Sequence, residues 1–145
     1  MTQDDGGSYQ DLSANLCIAQ IYNMGQSTTN PQTIISGHQD NGTNLQNSSS
    51  QDEVIGGDGM DCFIDWNNDN IMFGSIYYGD FYKSTNGGGN FSGCTNGLSG
   101  NAGWVTPWKQ DPNNSNIIYT GWDQMFKTTN QAATWTQMGA LSNSA

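Results

Sequence analysis

Apolar residues along this chain come in short bursts rather than at helical spacing. Three runs stand out: Thr33-Ile34-Ile35-Ser36-Gly37, Asn70-Ile71-Met72-Phe73-Gly74 and Asn116-Ile117-Ile118-Tyr119-Thr120. Each is preceded by a turn-forming cluster, respectively Thr29-Asn30-Pro31, Asn67-Asn68-Asp69 and Asp111-Pro112-Asn113-Asn114. Runs of this length bounded by turn signals predict buried strands. Shorter strands, Phe81-Tyr82-Lys83 and Met125-Phe126-Lys127, follow the second and third runs. No segment combines helical periodicity with caps, so the pattern predicts an all-β chain.

The strands recur in phase with an octapeptide. Thr2-Gln3-Asp4-Asp5-Gly6-Gly7-Ser8-Tyr9, Ser84-Thr85-Asn86-Gly87-Gly88-Gly89-Asn90-Phe91 and Thr128-Thr129-Asn130-Gln131-Ala132-Ala133-Thr134-Trp135 all read hydroxyl-x-Asp/Asn-x-small-x-polar-aromatic. Their starts lie 82 and 44 residues apart, which fits a unit of about 41 to 44 residues if Asn47-Ser48-Ser49-Ser50 is a worn copy. A repeat of that length matches one four-stranded propeller blade. In such a blade the octapeptide is the hairpin between the third and fourth strands. Its hydroxyl and Asp/Asn side chains bond to turn amides, its small residue permits an unusual backbone conformation, and its aromatic plugs into the core.

The prediction is therefore a β-propeller segment of about three four-stranded antiparallel blades. Residues 1–15 supply the octapeptide and last strand of a preceding blade, and 16–58, 59–103 and 104–145 form blades one, two and three. Within these, strands are expected from about Leu16 to Ile55, Met60 to Ser92 and Trp104 to Met138. Three and a fraction blades do not close a ring, because propellers use four to eight. The chain is therefore expected to be part of a longer protein, or to complete itself by self-association or with a partner's blade.

Composition supports folding and narrows the partners. Only 11% of residues are charged, yet five Trp, six Tyr and five Phe are interleaved with Ile-rich runs, unlike a disordered segment. The net charge is −10, and Lys83, Lys109 and Lys127 are the only basic side chains apart from His38. Nucleic-acid binding needs clustered cations, and an anionic membrane would repel such a surface, so neither is expected as a partner. Cys17, Cys62 and Cys94 form no C-x-x-C pair; Cys17 and Cys62 read as small buried residues in strands. No apolar run is long enough for a membrane-spanning helix, and the acidic start Met1-Thr2-Gln3-Asp4-Asp5 does not read as a signal peptide.

The octapeptides resemble the Asp-boxes, or bacterial neuraminidase repeats, of sialidase-like and related propellers. The structural Asp-box positions are then Thr2, Asp4, Gly6 and Tyr9; Ser84, Asn86, Gly88 and Phe91; and Thr128, Asn130 and Trp135. Further segments extend the likeness to large secreted propeller proteins of Bacteroidetes-type bacteria exported by type IX secretion. These are His38-Gln39-Asp40-Asn41-Gly42-Thr43, Gly56-Gly57-Asp58-Gly59-Met60-Asp61-Cys62, Tyr78-Gly79-Asp80-Phe81-Tyr82-Lys83 with the octapeptide after it, and Gly103-Trp104-Val105-Thr106-Pro107-Trp108. The resemblance implies a secreted or outer-surface protein with a glycan or protein ligand. Sialidase chemistry is not expected in these blades, because no Arg is present to grip the substrate carboxylate.

Candidate ligand residues follow from topology. With the strands of a blade labelled a to d from the centre, b–c and d–a connections share one face, opposite the octapeptides. That face is predicted to gather His38, Gln39 and Asp40, then Asp58, Tyr77, Trp122 and Asp123. Aromatics beside carboxylates and amides suit sugar recognition. The leading expectation is a non-catalytic binding module. The alternatives are part of a glycoside hydrolase using Asp40, Asp58 or Asp123 as acids, and an architectural spacer. No cofactor is expected; a Ca²⁺ ion, if bound, would use Asp40 and Asp58. Bland readings compete, since Asp40-Asn41-Gly42 and Gly56-Gly57-Asp58-Gly59 are good turn sequences in their own right.

Overall fold

Residues 4–9 and 18–139 are described by the structure, a computed structural model. The predicted apolar bursts become the second strand of each of three sheets. Sheet one comprises β1 (Gln20–Gln26), β2 (Ile34–Gln39), β3 (Thr43–Gln46) and β4 (Gln51–Ile55). Sheet two comprises β5 (Cys62–Ile64), β6 (Met72–Ile76), β7 (Asp80–Ser84) and β8 (Ser92–Gly93). Sheet three comprises β9 (Trp108–Gln110), β10 (Ile118–Gly121), β11 (Met125–Thr128) and β12 (Thr136–Gln137). Each is a four-stranded antiparallel meander in chain order. A single 3₁₀ turn, Tyr77–Gly79, is the only helical piece among the described residues. The chain is an all-β propeller segment.

First strands of the three sheets meet at the axis. Asn23 on β1 donates from Nδ2 to Asp61, and Lys109 Nζ on β9 reaches Asp61 Oδ1 at 3.2 Å. Between the sheets lie two apolar clusters. Sheets one and two enclose Ile35, Cys62, Ile64 and Met72, with Leu45 and Phe91 against them. Sheets two and three enclose a larger, aromatic cluster built on Phe73, Phe81, Trp108, Phe126 and Trp135. Phe81 and Trp108 stack at 4.0 Å between centroids and 8° between planes, a pair contributing about 1 kcal/mol beyond its burial.

The octapeptide turns join the third and fourth strands. Ser84 Oγ accepts hydrogen bonds from the amides of Asn86 and Gly88, at 3.3 and 2.9 Å. Thr128 Oγ1 likewise accepts from Asn130 and Ala132, at 3.2 and 3.1 Å. The Asn carboxamide then accepts the amide four residues on, Asn90 to Asn86 and Thr134 to Asn130. At the first copy Ser8 N donates to Asp4 Oδ1 at 2.8 Å; Thr2 lies outside the described residues. Two successive left-handed residues recur in each copy: Asp5-Gly6, Gly87-Gly88 and Gln131-Ala132. Gly88, with φ of 88°, meets the expectation for a small residue, and Gln131 and Ala132 hold the same conformation with side chains attached. At the worn copy Asn47 Oδ1 accepts the amides of Ser49 and Ser50 in a tighter turn.

Two of the three predicted aromatic plugs are in place. Trp135 is 4% exposed and donates from Nε1 to Cys94 O at 2.7 Å, while Phe91 packs against the cluster between sheets one and two. Tyr9, in the first copy, is 79% exposed. Sheet three also starts later than expected, at Trp108 rather than Trp104. Pro107, which has no amide hydrogen to contribute to a ladder, immediately precedes that strand.

Both described cysteines are buried and free, and Cys17 lies outside the described residues. Burial, as the largest cause, pushes each thiol up to about 12 from 9.0. An unfolded chain loses these protons from about pH 9 while the folded one retains them, so stability falls between pH 9 and 12. The slope reaches about 1.4 kcal/mol per pH unit per thiol. In a Cys17→Ala background, native protein at pH 8 should leave a chromogenic disulfide reagent unreacted until denaturant is added. Immediate reaction would contradict the burial of both thiols.

Candidate functional site

Connections between second and third strands, and from each sheet to the next, emerge on one face. The β2–β3 hairpin carries Asp40 in a left-handed conformation (φ 62°), and Asp58 lies in the step from β4 to β5. These two are tied together: Asp40 N donates to Asp58 Oδ1 at 2.8 Å. With Gly42, Glu53, Gly57 and Tyr77 they line an open hollow of about 320 Å³. Three carboxylates therefore surround one depression, and Tyr77 forms its aromatic wall.

Tyr77 joins the hollow to a larger feature. Its ring stacks on Trp104 at 5.2 Å and 15°, and Tyr78 meets both edge-on, at 5.8 Å from Tyr77 and 5.3 Å from Trp104. All three remain partly solvent-facing, Tyr78 most of all at 60%. Tyr78 is itself left-handed (φ 58°), an uncommon conformation for an aromatic residue; its amide donates to Trp104 O at 3.2 Å. Tyr22 extends the group across the axis. It sits at the register shift of β1, between Ile21 and Asn23, and bulges of this kind re-aim a side chain. Its hydroxyl donates to Gln39 Oε1 at 3.2 Å and lies 3.5 Å from Trp104 Nε1.

Of the residues expected on this face, Asp40, Asp58 and Tyr77 are brought together. His38 is not part of the hollow: it belongs to β2, is 6% exposed, and its Nε2 lies 2.7 Å from Ser36 Oγ. Gln39 ends the same strand and is occupied by Tyr22. Trp122 occupies the β10–β11 turn, but its ring packs edge-on against Phe81 and Phe126. Asp123 is bound to a different loop: its carboxylate accepts the Asn101 amide at 3.2 Å, and its own amide donates to Asn101 O at 2.8 Å. Among the described residues no group of three or more His, Cys, Asp or Glu side chains is arranged to hold a metal ion.

Glu53, Tyr22, Tyr78 and Trp104 were not identified by sequence reasoning. Tyr78 was adjacent to a chosen residue, and Pro107 signalled that Trp104 precedes its strand. No sequence signal marked the bulge that turns Tyr22 upward.

The opposite face holds a second polar centre, also missed. Asp65, fully buried, follows β5 directly. Its Oδ1 accepts the amides of Asn67 and Asn68 at 2.7 and 3.1 Å. Its Oδ2 accepts Gln110 Nε2 and Gln131 Nε2 at 2.8 and 2.9 Å, binding sheet two to sheet three. Ser27 and Asp111 make the corresponding turn bonds in the other sheets.

Neither a family model nor a curated protein matches the sequence. Solved structures do match in shape. An ancestral GH74 enzyme superposes with a TM-score of 0.69 at 16% identity, over 86% of this chain and 19% of that one. The GH74 enzyme of Niastella koreensis gives 0.60 at 18% identity, over 82% and 22%. YCF48 from Cyanidioschyzon merolae gives 0.56 at 13% identity, over 82% and 37%. All three are propeller proteins, and identities this low show the fold alone. The chain spans about a fifth of each GH74 enzyme.

Proposed function

We propose that the chain is a segment of an Asp-box propeller that binds a glycan or a protein outside the cell or at its surface, without catalysis of its own. The observation that carries this reading is the solvent-facing group Tyr77, Tyr78 and Trp104 beside the hollow of Asp40, Glu53 and Asp58. A packed aromatic edge joined to a few polar groups is the usual composition of a ligand surface. Extracellular location rests on the resemblance of the octapeptides and loops to secreted propellers. Among the described residues no helix is long and apolar enough to cross a membrane.

A glycoside hydrolase is the second reading. It is favoured by the fold shared with GH74 enzymes and by several carboxylates around one hollow, since glycosidases use a pair of acids. The two readings separate in one assay, with polysaccharides and candidate surface proteins offered to the protein. Retention without release of reducing ends, weakened about fivefold or more by Trp104→Ala, is expected for the binding module. Steady release of reducing ends, lost in Asp58→Asn at unchanged melting temperature, would replace it with the hydrolase.

A further inference from the structure

The aromatic group and the carboxylate hollow point to a particular class of ligand, an inference that rests on the binding reading above. We infer that this face receives a basic polypeptide segment, an Arg or Lys side chain lying against Tyr78 and Trp104 while its charge meets Asp58 and Glu53.

The argument begins with what the protein's own cations do. Lys109 is paired with Asp61, the only ion pair among the described residues. Lys83 donates to Gln131 O at 2.9 Å and lies over the Phe73 ring. Lys127 lies over the ring of Tyr119. With no Arg in the sequence, none of these charges reaches the hollow, and Asp40, Glu53 and Asp58 face it without an opposite charge. The potential there is set by three carboxylates on a molecule of net charge −10. Such a field repels anions and concentrates cations.

Ring geometry supplies the second requirement. Tyr77 and Trp104 cover one face of each other, so they offer an edge and an outer face rather than a broad platform. Tyr78, 60% exposed and set across them, completes a corner. A guanidinium or ammonium gains from an aromatic face and from a carboxylate at once, and here Tyr77 belongs to both features. A neutral sugar would gain from the rings but not from the net charge.

The test uses three probes on the whole protein: an acetylated, amidated hexapeptide with two arginines, its citrulline counterpart, and a neutral β-glucan hexasaccharide. The arginine peptide should bind, weaken as salt is raised, and lose about fivefold in affinity in Trp104→Ala and in Glu53→Gln. Asp52→Asn, a carboxylate on β4 outside the hollow, should leave binding unchanged. Equal binding of the citrulline peptide would overturn the inference, as would an equal loss in Asp52→Asn, which would mean diffuse attraction to an acidic surface. Hexasaccharide binding without peptide binding would overturn it while leaving the binding module intact. Binding of neither probe class, together with no retention of any polysaccharide or surface protein, would remove both.

Discussion

Gly37→Ala is expected to cost about 3 kcal/mol or more and to leave little folded protein at ordinary temperature, because the added methyl has nowhere to go. A Cβ at Gly37 would stand 2.0 Å from Met60 O and 2.8 Å from the carbonyl carbon of Gly59. Both are backbone atoms, so relief requires sheet one to move away from the chain entering sheet two. That entry is fixed from three sides. Gly59 N donates to His38 O, Gly42 N donates to Gly57 O, and Met60 N donates to Ser75 O, all between 2.8 and 2.9 Å. Gly93→Ala serves as the matched control, since its Cβ would meet nothing within 4 Å, and a change within about 0.5 kcal/mol is expected. Urea unfolding of the two variants gives the comparison. Similar midpoints would mean that the two sheets do not approach as closely as described.

The second large effect belongs to Asp65. Replacing it by Ala removes the acceptor of the Asn67 amide and of Gln131 Nε2 outright, while Asn68 N keeps Asp65 O and Gln110 Nε2 keeps Ser115 O, at an expected cost of about 3–4 kcal/mol. Asp65→Asn separates the contributions. Its oxygen can still accept from Asn67 and Asn68, but its NH₂ would then face the NH₂ groups of Gln110 and Gln131. An intermediate loss of about 2 kcal/mol is expected, unless both glutamine amides turn over. Gln110 resists turning because its Nε2 also donates to Ser115 O at 2.8 Å. A double-mutant cycle with Gln131→Ala measures the link between sheets two and three directly. Additive losses would show that Asp65 and Gln131 are not coupled.

The fold was legible because its signals are periodic. Ile34-Ile35, Ile71-Met72-Phe73 and Ile117-Ile118-Tyr119 each follow a turn-forming polar cluster, and the turn chemistry recurs as direct backbone capping by Ser27, Asp65 and Asp111. Strand alternation then dictated which connections share a face, which located Asp40, Asp58 and Tyr77. What topology does not dictate is the direction of a side chain after a bulge, a left-handed turn or a long connection. Tyr22, Tyr78 and Trp104 depend on those three irregularities in turn. Asp65 was concealed for another reason. In sequence it is one more acid before an Asn-rich turn, and only the packing of sheet three supplies Gln110 and Gln131. Conversely, Trp122 was placed on the right turn, but the adjacent Phe81 and Phe126 draw its ring downward.

The steps between sheets are of unequal length. Residues 56–61 carry the chain from β4 to β5, whereas residues 94–107 carry it from β8 to β9. The longer step is pinned at its base, where Trp135 N donates to Asn96 O and Trp135 Nε1 to Cys94 O, and its far end presents Trp104. Extra chain has thus been accommodated wholly outside the ladders, which continue undisturbed beneath it. Such a connection can be lengthened, shortened or exchanged with the three meanders serving as an unchanged chassis, and under the proposed binding role this would change what the surface recognises.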